Sequence, residues 1–182
     1  MPTHQLNFKS TNQTWTLKAE DAAYTGYPNS GQFSIYNGAT KLWGITESGF
    51  SQTPLRPAFN VYAPVGTMNT TITFNSVRYN ITNSMNPSNG LFTCPIAGIY
   101  NFSFQILFTL NPSSYVRPLW IINGSRSTTY GDTLEPEVVS WQTSGMAMSF
   151  NLNVGDTIGI YIFGGNDVYG TNYGAFSGFL VS

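Results

Sequence analysis

The feature that most constrains the fold of this chain is a strict alternation within the stretch Leu91–Leu110. From residue 100, every second side chain is large and apolar: Tyr100, Phe102, Phe104, Ile106 and Phe108. The residues between them are polar, apart from Leu107. A period of two with many aromatics is typical of a β-strand that buries one face. Because that face needs a second layer to cover it, we predict an all-β sandwich with this strand at its centre.

The remainder of residues 57–182 also favours strands, and no helix is predicted. The predicted strands lie within residues 58–64, 70–82, 91–94, 115–122, 140–152, 155–163 and 175–181, with a pair of strands in residues 70–82. The inward residues expected in residues 70–82 are Ile72, Phe74, Tyr79 and Ile81. Pro118 indicates a sheet edge or a β-bulge, because proline has no N–H to donate to a neighbouring strand.

The spacing of residues around the alternating strand resembles that of a known family. Phe74 is followed after five residues by Asn80, after four more by Met85, after six more by Phe92 and after five more by Gly98. Three later segments match in the same order: VRPLWIING from residue 116, LNVGDTIGI from residue 152 and YGAFSGFLV ending at residue 181. Over residues 57–182 the pattern resembles the globular head of complement C1q and its relatives, which are related in shape to tumour necrosis factor. The sequence departs from it at Met85, where the family usually has an aromatic residue.

The resemblance implies a ten-stranded jelly roll that assembles as a trimer. The residues expected in its core or trimer interface are Tyr100, Phe102, Phe104, Trp120, Trp141, Met148, Phe176 and Phe179. With few charged residues, a monomer would struggle to cover all of these side chains, whereas closed threefold packing would hide them. We therefore expect a homotrimer.

Residues 1–56 are predicted to form a separate, small β-rich module, and residues 57–182 the head. The alternation in Thr14–Ala19 predicts a strand, and residues 32–45 predict a hairpin in which Asn37 and Gly38 both adopt positive φ. Residues 1–13 carry no strong pattern and are expected to be an extension or the stump of a stalk. A few short strands bury little apolar surface, so we expect this module to depend on its neighbours.

The amino-terminal pattern, WTL followed by FSIYNG and LWGITESG, resembles more loosely the β modules of phage tail-fibre and head-fibre proteins. Relatives of C1q usually carry a collagen stalk, whereas this sequence has no Gly-X-Y repeat and no heptad pattern. A β-rich neck in place of collagen favours a fibre on a virion, attached to other virion proteins through the amino-terminal module.

Composition excludes several kinds of partner. Charged residues make up 8% of the chain and the formal net charge is −1, against a charged fraction of about 25% in typical soluble domains. The chain therefore has no basic surface to attract nucleic acid, and no apolar run long enough to insert in a membrane as a helix. Cys94 is the single cysteine, so no intrachain disulfide is expected, and its surroundings predict a small buried hydrophobic residue.

No combination of residues indicates catalysis, and we predict that the protein is not an enzyme. The sequence lacks a G-x-S-x-G motif, a phosphate-binding loop and a CxxC pair, and it has one histidine. Asp132, Glu135 and Glu137 are spaced like oxygen ligands of calcium, but the glycine-braced pattern of a calcium loop is missing. A solvated acidic loop is the favoured interpretation, and no cofactor is expected. Asp156 is expected to close a turn by accepting backbone N–H bonds.

Aromatic residues in predicted loops are the best candidates for a binding site. Several tyrosines stand among glycine and polar residues, as in FGGNDVYGTNYG at residues 163–174. Rings beside amides and carboxylates suit stacking on the C–H face of a sugar while its hydroxyls are hydrogen-bonded. The predicted binding residues are Tyr169, Tyr173, Asp167, Asn166 and Tyr130. The alternative is that these tyrosines pack between subunits of the trimer.

Together these features favour a trimeric, non-enzymatic fibre or fibre tip on a virion surface, whose head binds a host-surface receptor such as a glycan. Three weak sites on one rigid axis gain avidity through effective concentration. The alternative is a purely structural protein without a specific ligand, either a capsid-decorating fibre or a C1q-like component of a bacterial spore coat. The first interpretation places the protein on the virion surface, outside the cell.

Overall fold

The structure of the protein is a computed structural model, and it describes residues 4–10, 13–21, 31–45, 49–109, 115–131, 141–164, 167–169 and 172–182. The chain divides into two compact units, residues 1–55 and 56–182. All regular structure in the described residues consists of β-strands. Within those residues there is consequently no helix that could cross a membrane.

The first unit is one antiparallel sheet whose strands follow one another in chain order. They are β1 (His4–Ser10), β2 (Gln13–Asp21), β3 (Gly31–Asn37), β4 (Thr40–Ile45) and β5 (Ser51–Gln52). The register places Leu6 opposite Leu17, and Leu17 opposite Ile35, so apolar residues from three strands share one face. Among the described residues of this unit no hydrophobic side chain is buried, and Trp15 and Phe33 are both exposed. This sheet lacks a hydrophobic core within the part of the unit that is described.

Two predictions for this unit are wrong. Residues 4–10, predicted to be part of an unpatterned extension, form β1, and its short alternation acquires a defined face only through pairing with β2. The hairpin turn consists of Gly38 and Ala39, because β3 continues through Asn37, which pairs with Thr40. Of Asn37, Gly38 and Ala39, only Gly38 has positive φ, at +58°. A glycine with positive φ at the first central position is the arrangement of a type II′ turn.

The second unit is a sandwich of two antiparallel sheets. Its strands are β6 (Ala58–Val65), β7 (Thr73–Ile81), β8 (Met85–Asn86), β9 (Leu91–Thr93), β10 (Gly98–Thr109), β11 (Val116–Ile122), β12 (Ser125–Gly131), β13 (Trp141–Leu152), β14 (Thr157–Gly164), β15 (Asp167–Val168) and β16 (Gly174–Leu180). The first sheet, here called the β10 sheet, has the order β13-β10-β16-β6-β7, and β15 pairs with β10 at one end. The second, called the β14 sheet, has the order β12-β11-β14-β9-β8. Two sheets of five strands, with the two-residue β15 in addition, confirm the predicted jelly roll.

The alternating strand is buried as its sequence predicts. Its apolar residues Tyr100, Phe102, Phe104, Ile106 and Phe108 all lie in the core between the sheets. Trp120 of β11 faces them from the other sheet and meets Phe104 edge-on, with ring centroids 5.2 Å apart. The Trp120 indole N–H donates a hydrogen bond to the sulfur of Met146 at 3.2 Å, which satisfies the one polar group of a fully buried side chain.

Other predicted core positions divide between the inside and the outside. Ile72 and Phe74 are buried, whereas Tyr79 is 49% exposed and Ile81 is 37% exposed. Residues 73–81 form the single edge strand β7 rather than a pair of strands. Tyr79 pairs with Asn60, which alternates with the inward residues of β6, so this end of β7 turns Tyr79 outward.

Pro118 lies next to a β-bulge, not at a sheet edge. Its strand, β11, lies between β12 and β14. The pairing of β11 with β12 shifts register between Leu119 and Ile121, and this irregularity accommodates a strand that cannot donate at position 118.

Two predictions about single residues are confirmed. Cys94 is buried, and its S–H donates to the carbonyl of Ile96 at 3.1 Å. The Asp156 carboxylate accepts the backbone N–H of Asn153 at 2.7 Å and the side-chain N–H of Asn123 at 2.9 Å. Hydrogen bonds from the Asn153 backbone and then from Asn123 hold the pKa of Asp156 below its usual value.

Candidate functional site

Strand β13 begins beside the end of strand β10, and this end of the β10 sheet carries the candidate site. Thr109, the last residue of β10, pairs with Trp141, the first residue of β13. The short strand β15 pairs with the same end of β10 and places Asp167 opposite Thr109. Segments that are distant in sequence therefore meet at one end of the sandwich.

The backbone of Leu107 fixes the two tyrosines of this end. The N–H of Leu107 donates to the carbonyl of Tyr173 at 2.9 Å, and the carbonyl of Leu107 accepts the N–H of Tyr169 at 2.8 Å. Both tyrosines are thereby tied to a strand of the sandwich, a more rigid support than a free loop.

Trp141, Tyr169 and Tyr173 form a continuous row of rings, here called the aromatic row. The ring centroids of Trp141 and Tyr169 are 5.1 Å apart, and those of Tyr169 and Tyr173 are 5.9 Å apart. Trp141 is 56% exposed and Tyr173 is 58% exposed. The rings support one another while the outer two present most of their surface to solvent, an arrangement suited to stacking against a flat apolar ligand face.

A cavity of about 330 Å³ adjoins the aromatic row on the outward face of the β10 sheet. Tyr173 lines it, together with the side chains of Gln105, Thr143, Asn172 and Arg78. These amides and this hydroxyl offer both donors and acceptors. The cavity thus places neutral hydrogen-bonding groups directly beside exposed rings.

The outward face of the β10 sheet is almost free of charge. Its strands β13, β10, β16 and β6 contain no charged residue, and Arg78 is the one charged residue of β7. Small polar side chains pair across the strands, as Ser103 does with Ser177 at 2.9 Å. Phe179 on the same face is 51% exposed. The depletion of charge on this face, together with the exposed Phe179, fits the core of a subunit interface.

Three of the five predicted binding residues come together at this end. Tyr169 and Tyr173 belong to the aromatic row, and Asp167 is exposed on the neighbouring β15. Asn166 and the side chain of Tyr130 lie outside the described residues, so the structure places neither. The weak metal candidates Asp132, Glu135 and Glu137 also lie outside it. The described residues contain no cluster of three or more side chains that could hold a metal ion.

The residues predicted for the core or trimer interface separate into two groups. Tyr100, Phe102, Phe104, Trp120 and Phe176 are buried within the subunit, and Met148 packs against them. These six belong to the core of one subunit, because the facing sides of the two sheets cover them. Trp141 and Phe179 are exposed and remain available for a ligand or a sister subunit.

Trp141 was predicted to lie in the core or the trimer interface and was not predicted to bind a ligand. The alternation of inward and outward residues along β13 distinguishes Trp141 from the core residues. Met146, Met148 and Phe150 occupy even positions and pack against the core, whereas Trp141 is at an odd position and turns outward.

The fold and this surface define a class of protein, a two-sheet jelly-roll domain with an exposed aromatic surface at one end. Residues 58–181 match the family model of the C1q domain, and the chain belongs to the C1q-domain family. The globular domain of zebrafish complement 1qA protein is similar in structure, with a TM-score of 0.54 and 20% sequence identity, covering 70% of this chain and 98% of that chain. Proteins with this domain are generally non-enzymatic, commonly trimeric, and typically secreted or extracellular.

Proposed function

We propose that this chain is a trimeric, non-enzymatic fibre protein of a virion surface, and that its C1q head binds a host-surface saccharide through the aromatic row. The observation that carries the proposal is the row itself, in which Trp141 and Tyr173 each expose more than half of their surface. The C–H face of a sugar ring stacks on such rings. Its hydroxyls would be hydrogen-bonded by Gln105, Thr143 and Asn172 in the adjoining cavity.

The outward face of the β10 sheet supports the trimer, with the subunit contact at the end that carries Phe179, and with the aromatic row and its cavity left open at the other end. Its four uncharged strands fit the charge depletion of an interface core. A threefold axis would hold three aromatic rows on one rigid head, so weak individual affinities would combine into avidity.

The amino-terminal sheet supports attachment to a larger assembly. Its apolar face includes Leu6, Trp15 and Phe33, which are 57%, 39% and 44% exposed. An apolar face of this kind needs a partner to cover it. Together with the loose resemblance of this segment to phage fibre modules, the exposed face favours docking to other virion proteins.

A glycan array probed with the intact chain tests the proposed binding. Trp141→Ala and Tyr173→Ala should each weaken binding of the recognised saccharide at least tenfold, because each removes a stacking ring. Phe50→Ala is the matched control: this aromatic side chain is 71% exposed but belongs to the other unit. The control should bind like the wild-type chain.

The same variants separate binding from assembly. If Trp141→Ala retained saccharide binding but no longer formed trimers, the aromatic row would be an interface element and the proposed site would be wrong. If no glycan bound while the trimer persisted in every variant, the purely structural alternative would be favoured.

A further inference from the structure

A second aromatic surface lies on the outward face of the β14 sheet and, unlike the aromatic row, it carries charge. Along β11 and β14 the inward side chains include Trp120 and Ile160, which are fully buried. The alternate positions face outward. There Arg117 of β11 pairs directly with Phe163 of β14, and Leu119 pairs with Tyr161.

Arg126 of β12 extends across this face. It pairs with Ile121 on β11, yet its guanidinium carbon lies 5.2 Å from the centre of the Tyr161 ring and 5.4 Å from that of Phe163, both on β14. Because β11 separates β12 from β14, the side chain must span the intervening strand. Contact with two rings holds the guanidinium in place, which lowers the entropy cost of using it to bind a ligand.

Arg117 is held in a similar way at the other side of the same surface. Its guanidinium carbon lies 5.6 Å from the centre of the Tyr115 ring, and Tyr115 packs near Phe163 with ring centroids 6.2 Å apart. A cavity of about 480 Å³ opens here, lined by Arg117, Leu119, Ser125, Arg126 and Phe163. Two guanidiniums, an apolar floor and one hydroxyl thus converge on one space.

We infer that this cavity, here called the arginine cavity, is a binding site for an acidic saccharide, a sugar that bears a carboxylate or a sulfate. Stacking on an aromatic ring uses the face of a guanidinium and leaves its N–H donors free at the edge, where they bind oxyanions bidentately. Arg126, whose guanidinium lies over the rings of Tyr161 and Phe163, is the residue that would bind the acidic group in this way. Of the carboxylates described in residues 56–182, Asp156 and Asp167, neither lines the cavity.

The other residues that line the cavity favour binding of a sugar over binding of a simple inorganic anion. Phe163 and the nearly buried Leu119 form a floor on which the C–H face of a sugar ring can lie, and Ser125 offers a hydroxyl to its polar edge. The volume suits a small ligand. A protein partner would require roughly 800 Å² of contact surface.

The arginine cavity is independent of the aromatic row. The two surfaces lie on different sheets of the sandwich, and they share no residue: Arg78 lines the cavity beside the row, whereas Arg117 and Arg126 line the arginine cavity. The β14 sheet also points away from the neutral face proposed as the trimer interface, so the cavity would remain accessible in a trimer. An experiment that refutes one of these binding sites therefore does not refute the other.

Calorimetric titration of the intact chain with three probes tests the inference: a sialylated trisaccharide, a sulfated disaccharide and neutral lactose. At least one acidic probe should bind, and its affinity should fall with added salt, whereas lactose should not bind at this site. The two acidic probes distinguish a carboxylate from a sulfate as the recognised group. Absence of binding by both acidic probes, or equal binding of lactose to the Trp141→Ala chain, in which the aromatic row is disabled, would overturn the inference.

Substitutions assign the binding to the cavity. Arg126→Gln should weaken the acidic probe at least tenfold, and Arg126→Lys should also weaken it, because an ammonium cannot stack and bind bidentately at the same time. Arg56→Gln, an exposed arginine outside the cavity that donates to the Val181 carbonyl, is the matched control and should bind normally. Trp141→Ala should likewise leave this binding intact.

Retained affinity in Arg126→Gln would contradict the site. Inorganic sulfate that bound as tightly as the acidic sugar would contradict the saccharide part of it. Circular dichroism of each variant checks that a lost affinity reflects the side chain and not unfolding. If Arg126→Gln fails to fold, Ser125→Tyr, which fills the mouth of the cavity from a surface position, should abolish binding in its place.

Discussion

Gly178 of β16 pairs with Phe102 of β10, and the missing side chain at Gly178 makes room for the Phe102 ring. A Cβ at residue 178 would lie 2.7 Å from Cε1 of Phe102 and 2.7 Å from Cε1 of Phe59. Phe102 is at the centre of the core, with ring contacts to several other aromatic residues in both sheets. The large residues of the alternating strand therefore depend on a small residue in the neighbouring strand.

Gly178→Ala should destabilise the head by about 1–3 kcal/mol, because the added methyl group overpacks a closely filled core. Denaturant unfolding followed by tryptophan fluorescence measures the change. Gly66→Ala is the milder comparison, since the nearest atom to its Cβ would be Cδ1 of Ile162, farther away at 3.1 Å. Equal stability of the two variants would contradict this account of the core.

Met146→Leu should be more destabilising than Met148→Leu by about 1–3 kcal/mol. Both methionines lie on β13 and pack against the core, and both exchanges conserve volume. Only Met146 accepts the Trp120 indole N–H, so its replacement leaves a buried donor unpaired. The difference between the two unfolding free energies isolates this hydrogen bond, and it should vanish if the sulfur contributes nothing.

The architecture of the head could be predicted because short, local sequence patterns specify it. The alternation of residues 100–108 and the spacing from Phe74 to Gly98 each specify a face or a turn without knowledge of the partner strand. Tyr79 was predicted to point inward because residues 70–82 were divided into two strands, and only the pairing with β6 shows that one strand continues through them. The strand β1 was missed for the same reason, since its short pattern acquires a face only through β2.

Asp156→Asn should remove part of the acid sensitivity of the head. The pKa of Asp156 is lowered in the folded state, so its ionised form stabilises the fold above the unfolded-state pKa of about 3.9. This contribution is lost as the pH falls through the folded-state pKa. The melting temperatures of the wild-type chain and the variant should therefore differ at neutral pH and converge in strong acid. A difference that stays constant down to pH 2 would contradict the assigned role.

The candidate site was less predictable than the fold. Tyr169 and Tyr173 could be named from their polar, glycine-rich surroundings, but the sequence does not show that both are tied to Leu107 or that Trp141 joins them. The contact arises because β13 begins where β10 ends, a relationship between segments separated by a long stretch of chain. The arginine cavity was missed because the guanidiniums of the neighbouring strands β11 and β12 meet the ring of Phe163 on a third strand, β14.

Truncation should affect the two units unequally. Residues 57–182 alone should remain folded, because their core is a continuous cluster of buried side chains. Residues 1–56 alone should not fold, because no described hydrophobic side chain of that unit is buried. Circular dichroism melts of each fragment measure this, and a cooperative transition from the isolated amino-terminal fragment would refute it.

We propose that the neutral face of the β10 sheet closes a trimer and that multivalent binding depends on this trimer. Light scattering coupled to size-exclusion chromatography measures the mass of the assembly directly. At micromolar concentration we expect three times the 20.0 kDa chain mass. A stable species with the mass of a single chain would contradict the trimer and the avidity that follows from it.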